Sequence, residues 1–509
     1  MNENVFSSCA LPRHSDNWHT ISWPAVIQKV NRLQRRIAKA VKEGRWGKVK
    51  ALMYLVSKSF YAKLLAVFRV TTNKGGNTPG VDNVVWATYN DKLRAAKNLK
   101  TRGYSPKPLR RVYILKKNGK KRPLSIPTIH DRAMQALFAI ALDPVAETTA
   151  DPNSYGFREK RSCADAIAQC FLALCRKTSA QWVFEADIKS CFDEINHNWI
   201  MENISLNKTI LRKWLKAGYI ENKRLFPTPK GTPQGGIISP TIMNMVMDGL
   251  ETALKKQFPK WKWQKVNFIR YADDFIITAS SKELIINEVI PLVVDFLKVR
   301  GLKLSEEKSK ITHINDGFDF LSQNIRKYKG KLVIRPSIGS VQSFKNKIKT
   351  LFKKYRGIPA HGSIRLLNPV IRGWANYHKG ICAKRTFAKL RAFIYRQLKK
   401  WAKHQHGNKN RWWIYRRYFT DNHFTDYRIT KKGIQSFRLY RISYVPIRYH
   451  VKVKSNANPY MPEFDKYFVQ RKKWRANLAK ECKQITTFVV KETDINSWVS
   501  LRRESLKSA

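Results

Sequence analysis

Two adjacent carboxylates at the joint between two apolar segments limit most strongly what this chain can fold into. The segment Tyr-Ala-Asp-Asp at 271–274 separates the apolar runs 266–270 and 275–278. Two such runs joined by a short turn predict a β-hairpin whose tip holds both acids near water. An acidic turn of this kind can bind divalent cations, but a solvated turn is the plainer interpretation of the motif alone. The remaining sequence must decide between the two.

A third acid strengthens the cation-binding interpretation. Asp187 ends the apolar strand predicted at 182–187, where a lone acid usually caps the strand or forms an ion pair. If Asp187 converges with Asp273 and Asp274, three carboxylates can hold two Mg²⁺ ions roughly 3.5–4 Å apart. One ion would then activate an attacking hydroxyl while the other stabilises a leaving pyrophosphate. Mg²⁺ prefers oxygen ligands and retains water and substrate phosphates, so few protein ligands are needed.

The charge of the chain predicts a polyanionic partner. Its formal net charge is +62, from 98 Lys and Arg against 36 Asp and Glu, while 43% hydrophobic content is sufficient for packed cores. Self-repulsion of this size destabilises a compact chain unless a polyanion neutralises it. Nucleic acid suits the distribution better than a membrane, since the charge runs along the whole length without an amphipathic anchor. The longest apolar run, near 133–142, covers about half a bilayer, so no membrane span is predicted.

The termini and cysteines predict a reduced, cytoplasmic protein. The N-terminal segment contains Glu3 and Asp16 and lacks an apolar core, which is not typical of a signal or transit peptide. The seven cysteines include no Cys-x-x-Cys pair, so we expect neither structural zinc nor a disulfide framework.

The order of predicted elements divides the chain. Helices and strands alternate up to about residue 335, with helical patterns over 23–70, 87–100, 129–148, 162–177, 197–204, 208–217, 239–257 and 282–300, and with strands at 111–124, 182–187 and 311–325. Between Arg335 and His450 the composition shifts to 28 Lys and Arg with only two acids, interleaved with about twenty aromatic residues. Helical spacings at 341–356, 363–379 and 384–404 predict a small helical domain there.

Taken together and in order, six segments resemble the motifs of group II intron reverse transcriptases, also called maturases. The segments are 111–128, 154–158, 184–193, 231–240, 270–275 and 301–308, and the resemblance covers about residues 25–470. It implies an α+β right-hand polymerase, with fingers and a palm built on an antiparallel sheet, followed by an α-helical thumb or maturase domain. The implied domains are an N-terminal extension (1–82), fingers and palm (83–335), the RNA-binding thumb (336–450) and a C-terminal DNA-binding remnant or tail (451–509).

The resemblance also assigns roles to residues. Asp187, Asp273 and Asp274 match the catalytic, Mg²⁺-binding acids of a two-metal nucleotidyltransferase. Lys116 and Arg122, which flank a predicted hairpin turn, resemble finger residues that grip the incoming triphosphate, and both side-chain types suit phosphate oxygens. An exposed basic hairpin is the alternative for that pair.

Three further positions complete the implied site. Gln234 resembles a residue that lines the nucleotide pocket, and Phe192 resembles the aromatic gate that excludes a ribose 2′-hydroxyl. Cys191 departs from the aromatic residue common before that gate. Lys308 resembles a basic residue that protonates the leaving pyrophosphate, with a solvated surface lysine as the alternative.

The implied function is RNA-directed DNA polymerisation combined with binding of the host intron RNA. Such a protein promotes splicing and intron mobility by target-primed reverse transcription, with intron RNA, target DNA and dNTPs as partners and no membrane. We expect a bacterial ribonucleoprotein associated with the nucleoid. After His450 the sequence has no histidine and only Cys482, so a His/Cys endonuclease domain is not expected and the primer must come from another source. Two alternatives remain: a reverse transcriptase domesticated for phage defence or CRISPR spacer acquisition, and an RNA-splicing chaperone without polymerase activity.

Overall fold

The computed structural model describes residues 17–115, 119, 121–420, 423–430, 433–480 and 487–490, and Lys116 lies outside them. Two compact units are distinguished. The first comprises the described residues up to Gln169, together with Ser179–Ile311 and Val453–Phe468. The second comprises Cys170–Thr178, Thr312–Lys452 and the described residues from Val469 onward. The units divide after Ile311 and after Lys452, whereas the predicted domain boundaries follow residues 335 and 450.

The helices follow the predicted periodic segments closely. In chain order they are α1 (Trp23–Lys42), α2 (Trp46–Lys58), α3 (Phe60–Thr72), α4 (Tyr89–Asn98), α5 (Ile129–Thr149), α6 (Cys163–Leu174), α7 (Cys191–Glu194), α8 (His197–Asn203), α9 (Lys208–Leu215), α10 (Ser239–Met247), α11 (Leu250–Gln257), α12 (Lys282–Leu284), α13 (Ile290–Lys298), α14 (Ile338–Lys354), α15 (Ala360–His378), α16 (Lys384–Gln405), α17 (Arg411–Tyr418) and α18 (Asp465–Lys480). A π-helical turn at Ile285–Val289 joins α12 to α13.

Within the described residues the strands form four sheets. They are β1 (Leu109–Leu115), β2 (Lys121–Ile126), β3 (Trp182–Ala186), β4 (Tyr219–Glu221), β5 (Arg224–Phe226), β6 (Asn267–Tyr271), β7 (Asp274–Ala279), β8 (Lys310–His313), β9 (Phe318–Phe320), β10 (Gln323–Tyr328), β11 (Lys331–Pro336), β12 (Phe419–Thr420), β13 (His423–Thr430), β14 (Gly433–Arg438) and β15 (Thr487–Val490). The sheet orders are β2-β1-β4-β5, β6-β7-β3-β8, β11-β10-β9 and β12-β13-β14-β15. The predicted hairpins of β1 with β2 and of β6 with β7 are therefore confirmed.

Helix α5 is the centre of the first unit. Almost all of its residues are buried, because α1, α2 and α3 pack against it. Its N-terminus is capped by Thr128, whose hydroxyl accepts a hydrogen bond from the Asp131 N–H. Burial within the unit explains why this helix carries the apolar run noted in the sequence. No single described helix is long and apolar enough to cross a membrane, although α2 and α3 together pass that test with a bend of 68° between them.

The segment predicted as one helix over 239–257 is broken between α10 and α11. Asp248 adopts an extended conformation and Gly249 has a φ of +98°. A side chain disfavours that backbone conformation, so glycine suits the break. The break has a functional consequence, because it frees the carboxylate of Asp248 to enter the core beneath the acidic hairpin.

The second unit is helical only in its first part. Helices α14, α15 and α16 confirm the three predicted helical segments within a few residues. The prediction of an all-helical domain up to 450 is wrong from Phe419 onward, where β12, β13 and β14 form an antiparallel sheet. The physical reason is local, since β13 is rich in Thr, Tyr, Phe and Ile, which favour strands, and the basic residues in and after it, Arg428, Lys431 and Lys432, obscured that signal.

The segment 453–468 belongs to the first unit and is held there by polar contacts. The Val453 N–H donates to the buried carboxylate of Asp165 (2.7 Å), and the Arg35 guanidinium donates to both oxygens of Asp465 (2.9 and 2.8 Å). Tyr460 packs with Ala38 and Met461, and its hydroxyl donates to Glu159 (3.2 Å). These contacts make the segment a structural part of the first unit.

We predict that Tyr460→Ala destabilises the first unit by on the order of 3 kcal/mol, because it removes a buried aromatic ring and leaves a cavity. Tyr460 is only 7% exposed, whereas Tyr449 is 73% exposed, so Tyr449→Ala is the matched control. Hydrogen exchange of peptides from α1 and α5 should accelerate in the Tyr460 variant and not in the control. Equal exchange in both variants would show that the segment is only a surface attachment.

Candidate active site

Strand pairing brings the two halves of the acidic motif together. Strand β3 pairs with β7 in antiparallel register, with Ala186 opposite Phe275. Asp187 follows Ala186 and Asp274 precedes Phe275, so continuing this register sets the two acids opposite each other where the ladder ends. The backbone of Asp187 is also fixed from its other side, since its carbonyl accepts a hydrogen bond from the Ser305 N–H (2.8 Å).

The turn that carries Asp273 is tightly supported. In the hairpin Tyr271 pairs with Asp274, so Ala272 and Asp273 form its tip, and Ala272 has a φ of +60°. Gly156 lies directly beneath, where an added Cβ would come within 2.3 Å of the Ala272 nitrogen. Only glycine permits this approach, which explains the Tyr-Gly-Phe sequence of the 154–158 segment.

A buried cation anchors the same turn. The Arg270 side chain is completely buried, and its guanidinium donates to the carboxylate of Asp248 (2.5 Å) and to the side-chain oxygen of Asn244 (3.3 Å). Burial raises the pKa of Asp248, and the Arg270 guanidinium opposes that shift. Sequence reasoning did not assign a role to Asp248 or Asn244. The sequence around the break between α10 and α11 does not indicate this contact, because Arg270 lies 22 residues after Asp248.

One open cavity gathers the predicted residues that the structure describes. It has a volume of about 1750 Å³ and lies within the first unit. Its lining includes the three predicted catalytic acids, the three described nucleotide-binding candidates and the predicted pyrophosphate-side lysine: Asp187, Asp273, Asp274, Arg122, Phe192, Gln234 and Lys308. These residues come from five of the six motif segments and share one space.

The three acids in this cavity are partly buried and repel one another. Burial together with the charges of Asp273 and Asp187 raises the pKa of Asp274 to about 6. Burial also raises the pKa of Asp273, with a further contribution from Asp187, while Arg122 and Lys308 lower it. The ammonium of Lys308 lies 2.6 Å from an Asp187 oxygen. A positive charge close to these carboxylates therefore stabilises their arrangement in the cavity.

The donor set fits a hard divalent cation, since it consists of carboxylate oxygens whose mutual repulsion such an ion relieves. Among the residues that the structure describes, no three His, Cys, Asp or Glu side chains form a group that could hold a metal ion as they stand. Lys308 instead pairs with Asp187. The binding of Mg²⁺ by Asp187, Asp273 and Asp274 stays a prediction.

The Gln234 loop is held against strand β2 of the sheet β2-β1-β4-β5. The Ser125 N–H on β2 donates to the carbonyl of Gln234 (2.8 Å), and the Gln135 side chain accepts from the Ile237 N–H (2.8 Å). The Gln234 side-chain amide donates to Asp193 (3.2 Å). This contact uses the side-chain nitrogen of Gln234, which leaves its side-chain oxygen (Oε1) for a ligand. Asp193 lies in the motif segment 184–193, but the sequence alone does not assign a role to it.

Phe192 lies half-buried at the wall of the cavity, on the single turn of α7. Its carbonyl accepts the Thr232 N–H (2.6 Å), which ties this turn to the loop that carries Gln234. The turn begins at Ser190, whose φ of +47° redirects the chain after β3. Backbone contacts thus fix the turn that carries the ring, and the role of Phe192 as a steric gate stays a prediction.

We predict that Asp193→Ala raises the KM for dNTP about tenfold, because Gln234 loses a hydrogen bond to a charged group. Asp193→Asn retains an oxygen that can accept the same hydrogen bond, so it is the matched control and should change KM much less. Steady-state primer extension at varied dNTP concentration measures both variants. A general folding defect would instead lower the melting temperature and primer–template affinity, so both are measured alongside.

Sequence profiles of three known domain families match the chain. The family described as reverse transcriptase (RNA-dependent DNA polymerase) matches residues 114–325, and the N-terminal domain of reverse transcriptase matches 18–99. The group II intron maturase-specific domain matches residues 341–419. The first two ranges include all seven described cavity candidates and the helices packed around α5.

Curated relatives show the same relationship. Protein YkfC of Escherichia coli is 32% identical over 58% of this chain and 88% of its own length. The group II intron-encoded protein LtrA of Lactococcus lactis is 30% identical over 67% of this chain and 72% of its own length. Among solved structures, telomerase from Candida albicans aligns over 62% of each chain with 12% identity and a TM-score of 0.33. That score is too low to support a structural argument.

Proposed function

Because the chain belongs to the group II intron-encoded reverse transcriptases and maturases, we propose that it copies RNA into DNA at the cavity around Asp187, Asp273 and Asp274. The single observation that carries the proposal is the shared lining of that cavity, where the three acids face Arg122, Gln234 and Phe192. The open volume of about 1750 Å³ suits a primer end and a nucleotide together better than a small metabolite.

The three acids are the proposed ligands of Mg²⁺. When bound there, Mg²⁺ would supply the Lewis acidity that favours ionisation of the primer hydroxyl and neutralises charge on the leaving pyrophosphate. Burial, together with repulsion between the acids, raises the pKa of Asp273 and Asp274, and a bound cation would offset both effects, which supports this assignment. In the reaction the primer 3′ oxygen forms a bond to the α-phosphorus, and the bond from that phosphorus to pyrophosphate breaks.

The other cavity residues have separate roles in the proposal. Arg122 is placed to bind triphosphate oxygens, because its charge already acts on Asp273 across the cavity. Gln234 positions the nucleotide through its side-chain oxygen, since Asp193 binds only its side-chain nitrogen. Lys308 forms an ion pair with Asp187 and is the proposed proton donor to the departing pyrophosphate.

The second unit is proposed to bind the intron RNA and so to promote splicing and mobility. The maturase-specific family match lies in this unit, and the segment between Arg335 and His450 carries 28 Lys and Arg. Lysine and arginine neutralise phosphates without reading sequence, which suits a large folded RNA. We further propose target DNA and dNTPs as partners, in a ribonucleoprotein associated with the bacterial nucleoid in the cytoplasm.

The primary test replaces the acidic pair. We expect Asp273→Asn/Asp274→Asn to lower primer extension on an RNA template by on the order of a thousandfold, since charge stabilisation in the transition state is lost. Glu283→Gln/Glu288→Gln, which removes two exposed acids outside the cavity, is the matched control. Intron splicing in the presence of the acidic-pair variant should continue, because RNA binding is assigned to the other unit. Full extension by that variant would refute the site and favour the chaperone alternative.

A second prediction concerns sugar selection. Phe192→Val should raise incorporation of ribonucleotides relative to deoxyribonucleotides by at least about tenfold, because the ring no longer fills the space beside the 2′ position. Phe171→Val is the control, since this phenylalanine is exposed on α6 and does not line the cavity. Competition between rNTP and dNTP in single-nucleotide extension measures the ratio, and an unchanged ratio removes Phe192 from the gate.

A further inference from the structure

A short loop in the first unit exposes two tryptophans that are two residues apart in sequence. The loop, called here the tryptophan loop, comprises residues 258–266 and connects α11 to β6. Trp261 is 73% exposed and Trp263 is 78% exposed. Each indole carries a large apolar surface that folding normally removes from water. Two such surfaces left in solvent within three residues indicate a binding surface better than they indicate packing.

The loop is anchored at both ends, so its conformation is determined. Phe258 is buried at its start, and the carbonyls of Gln264 and Lys265 accept hydrogen bonds from the Ser280 N–H (2.9 Å) and the Thr278 hydroxyl (2.9 Å). Trp263 and Lys265 both have a φ of +55°. Bulky residues adopt this conformation at an energetic cost, and such strain is typical of functional surfaces. The loop therefore holds its rings outward in a defined geometry.

The charge of the loop selects the kind of partner. Lys260, Lys262 and Lys265 alternate with the tryptophans and are exposed, and the Lys262 ammonium lies 5.5 Å from the centre of the Trp261 ring. No acid occurs between Glu251 and Asp273 in the sequence. Interleaved aromatic faces and ammonium groups match unpaired bases joined by phosphates. A membrane anchor would present a larger continuous apolar area, such as an amphipathic helix.

The tryptophan loop is separate from the catalytic cavity. It precedes Asn267, at one end of β6, whereas the acidic turn follows Tyr271 at the other end. Four residue steps along a strand span about 13 Å. None of the loop residues lines the cavity described above. Substitutions in the loop can therefore be tested without altering the catalytic residues.

We propose that the tryptophan loop is a binding site for single-stranded RNA, in which Trp261 and Trp263 stack on unpaired bases while Lys260 and Lys262 contact the neighbouring phosphates. The site provides affinity without sequence preference, because every base offers a face for stacking. It adds an RNA contact on the polymerase unit itself, outside the basic segment of the second unit. The proposal does not depend on the catalytic assignment.

The test uses the full chain and an unstructured oligouridylate containing 5-bromouridine. Irradiation should cross-link wild-type protein within the peptide that contains the two tryptophans, and Trp261→Ala/Trp263→Ala should abolish that cross-link. The same variant should bind the oligouridylate at least about tenfold more weakly, since two stacks are lost. Trp261→Phe/Trp263→Phe retains aromatic faces and should bind within a few-fold of wild type.

The lysines are tested through salt dependence. Lys260→Gln/Lys262→Gln should reduce the slope of log affinity against log salt concentration by about 1.4, because each lost phosphate contact on a single strand contributes about 0.7. Extension of a short pre-annealed primer–template should be unchanged in all three loop variants. That control separates failure of this proposal from failure of the polymerase assignment.

Several outcomes would overturn the proposal. One is equal RNA affinity in wild type and the alanine variant, with the cross-link elsewhere. Others are losses confined to the corresponding DNA oligonucleotide, to sedimentation with anionic vesicles, or to self-association of the protein. Each of these would assign the exposed tryptophans to a different partner.

Discussion

The antiparallel register between β3 and β7 is the constraint on which the rest of the site depends. Side chains alternate along a strand, so a slip of one residue would turn Asp187 to the opposite face of the sheet. The register is determined by buried partners, since Val183 and Phe184 on β3 and Ile276 and Ile277 on β7 all lie in the core. The burial of apolar side chains along the two strands thus determines the positions of the acids at the strand ends.

Gathering carboxylates at one sheet end creates a cost that the surrounding residues offset. Burial and the closeness of like charges both destabilise the ionised acids, and the raised pKa values of Asp273 and Asp274 reflect that cost. Lys308 and Arg122 reduce it from the cavity side, whereas Arg270 supports the turn from below. A buried ion pair such as Arg270 with Asp248 adds little net stability, but leaving either partner alone would be severe. Its contribution is therefore to fix the turn in a single conformation.

Local patterns were readable from the sequence, and long-range partners were not. The acidic hairpin, Asp187 at the end of a strand, and the helices around α5 followed from periodicity and turn residues. The contacts of Asp193 with Gln234 and of Arg270 with Asp248 were not readable, because each joins groups on elements whose relative placement no local pattern encodes. The sheet after Phe419 was missed because frequent basic residues masked a strand-forming composition. Resemblance to a family identified the cavity residues, but it gave no information on what holds them.

The distribution of the few acids connects the catalytic and the RNA-binding properties. The chain has only 36 acids against 98 basic residues, yet several of those acids are buried in the frame of the active site. Glu147 is paired with Arg158 (2.7 Å) and Asp248 with Arg270. Acids that form such internal pairs do not neutralise the surface charge. The lysines of the tryptophan loop, for example, have no acid near them in sequence. These internal ion pairs support the frame around the three cavity acids, and the surface keeps the positive potential that attracts a polyanionic template. One uneven allocation of carboxylates supports both properties.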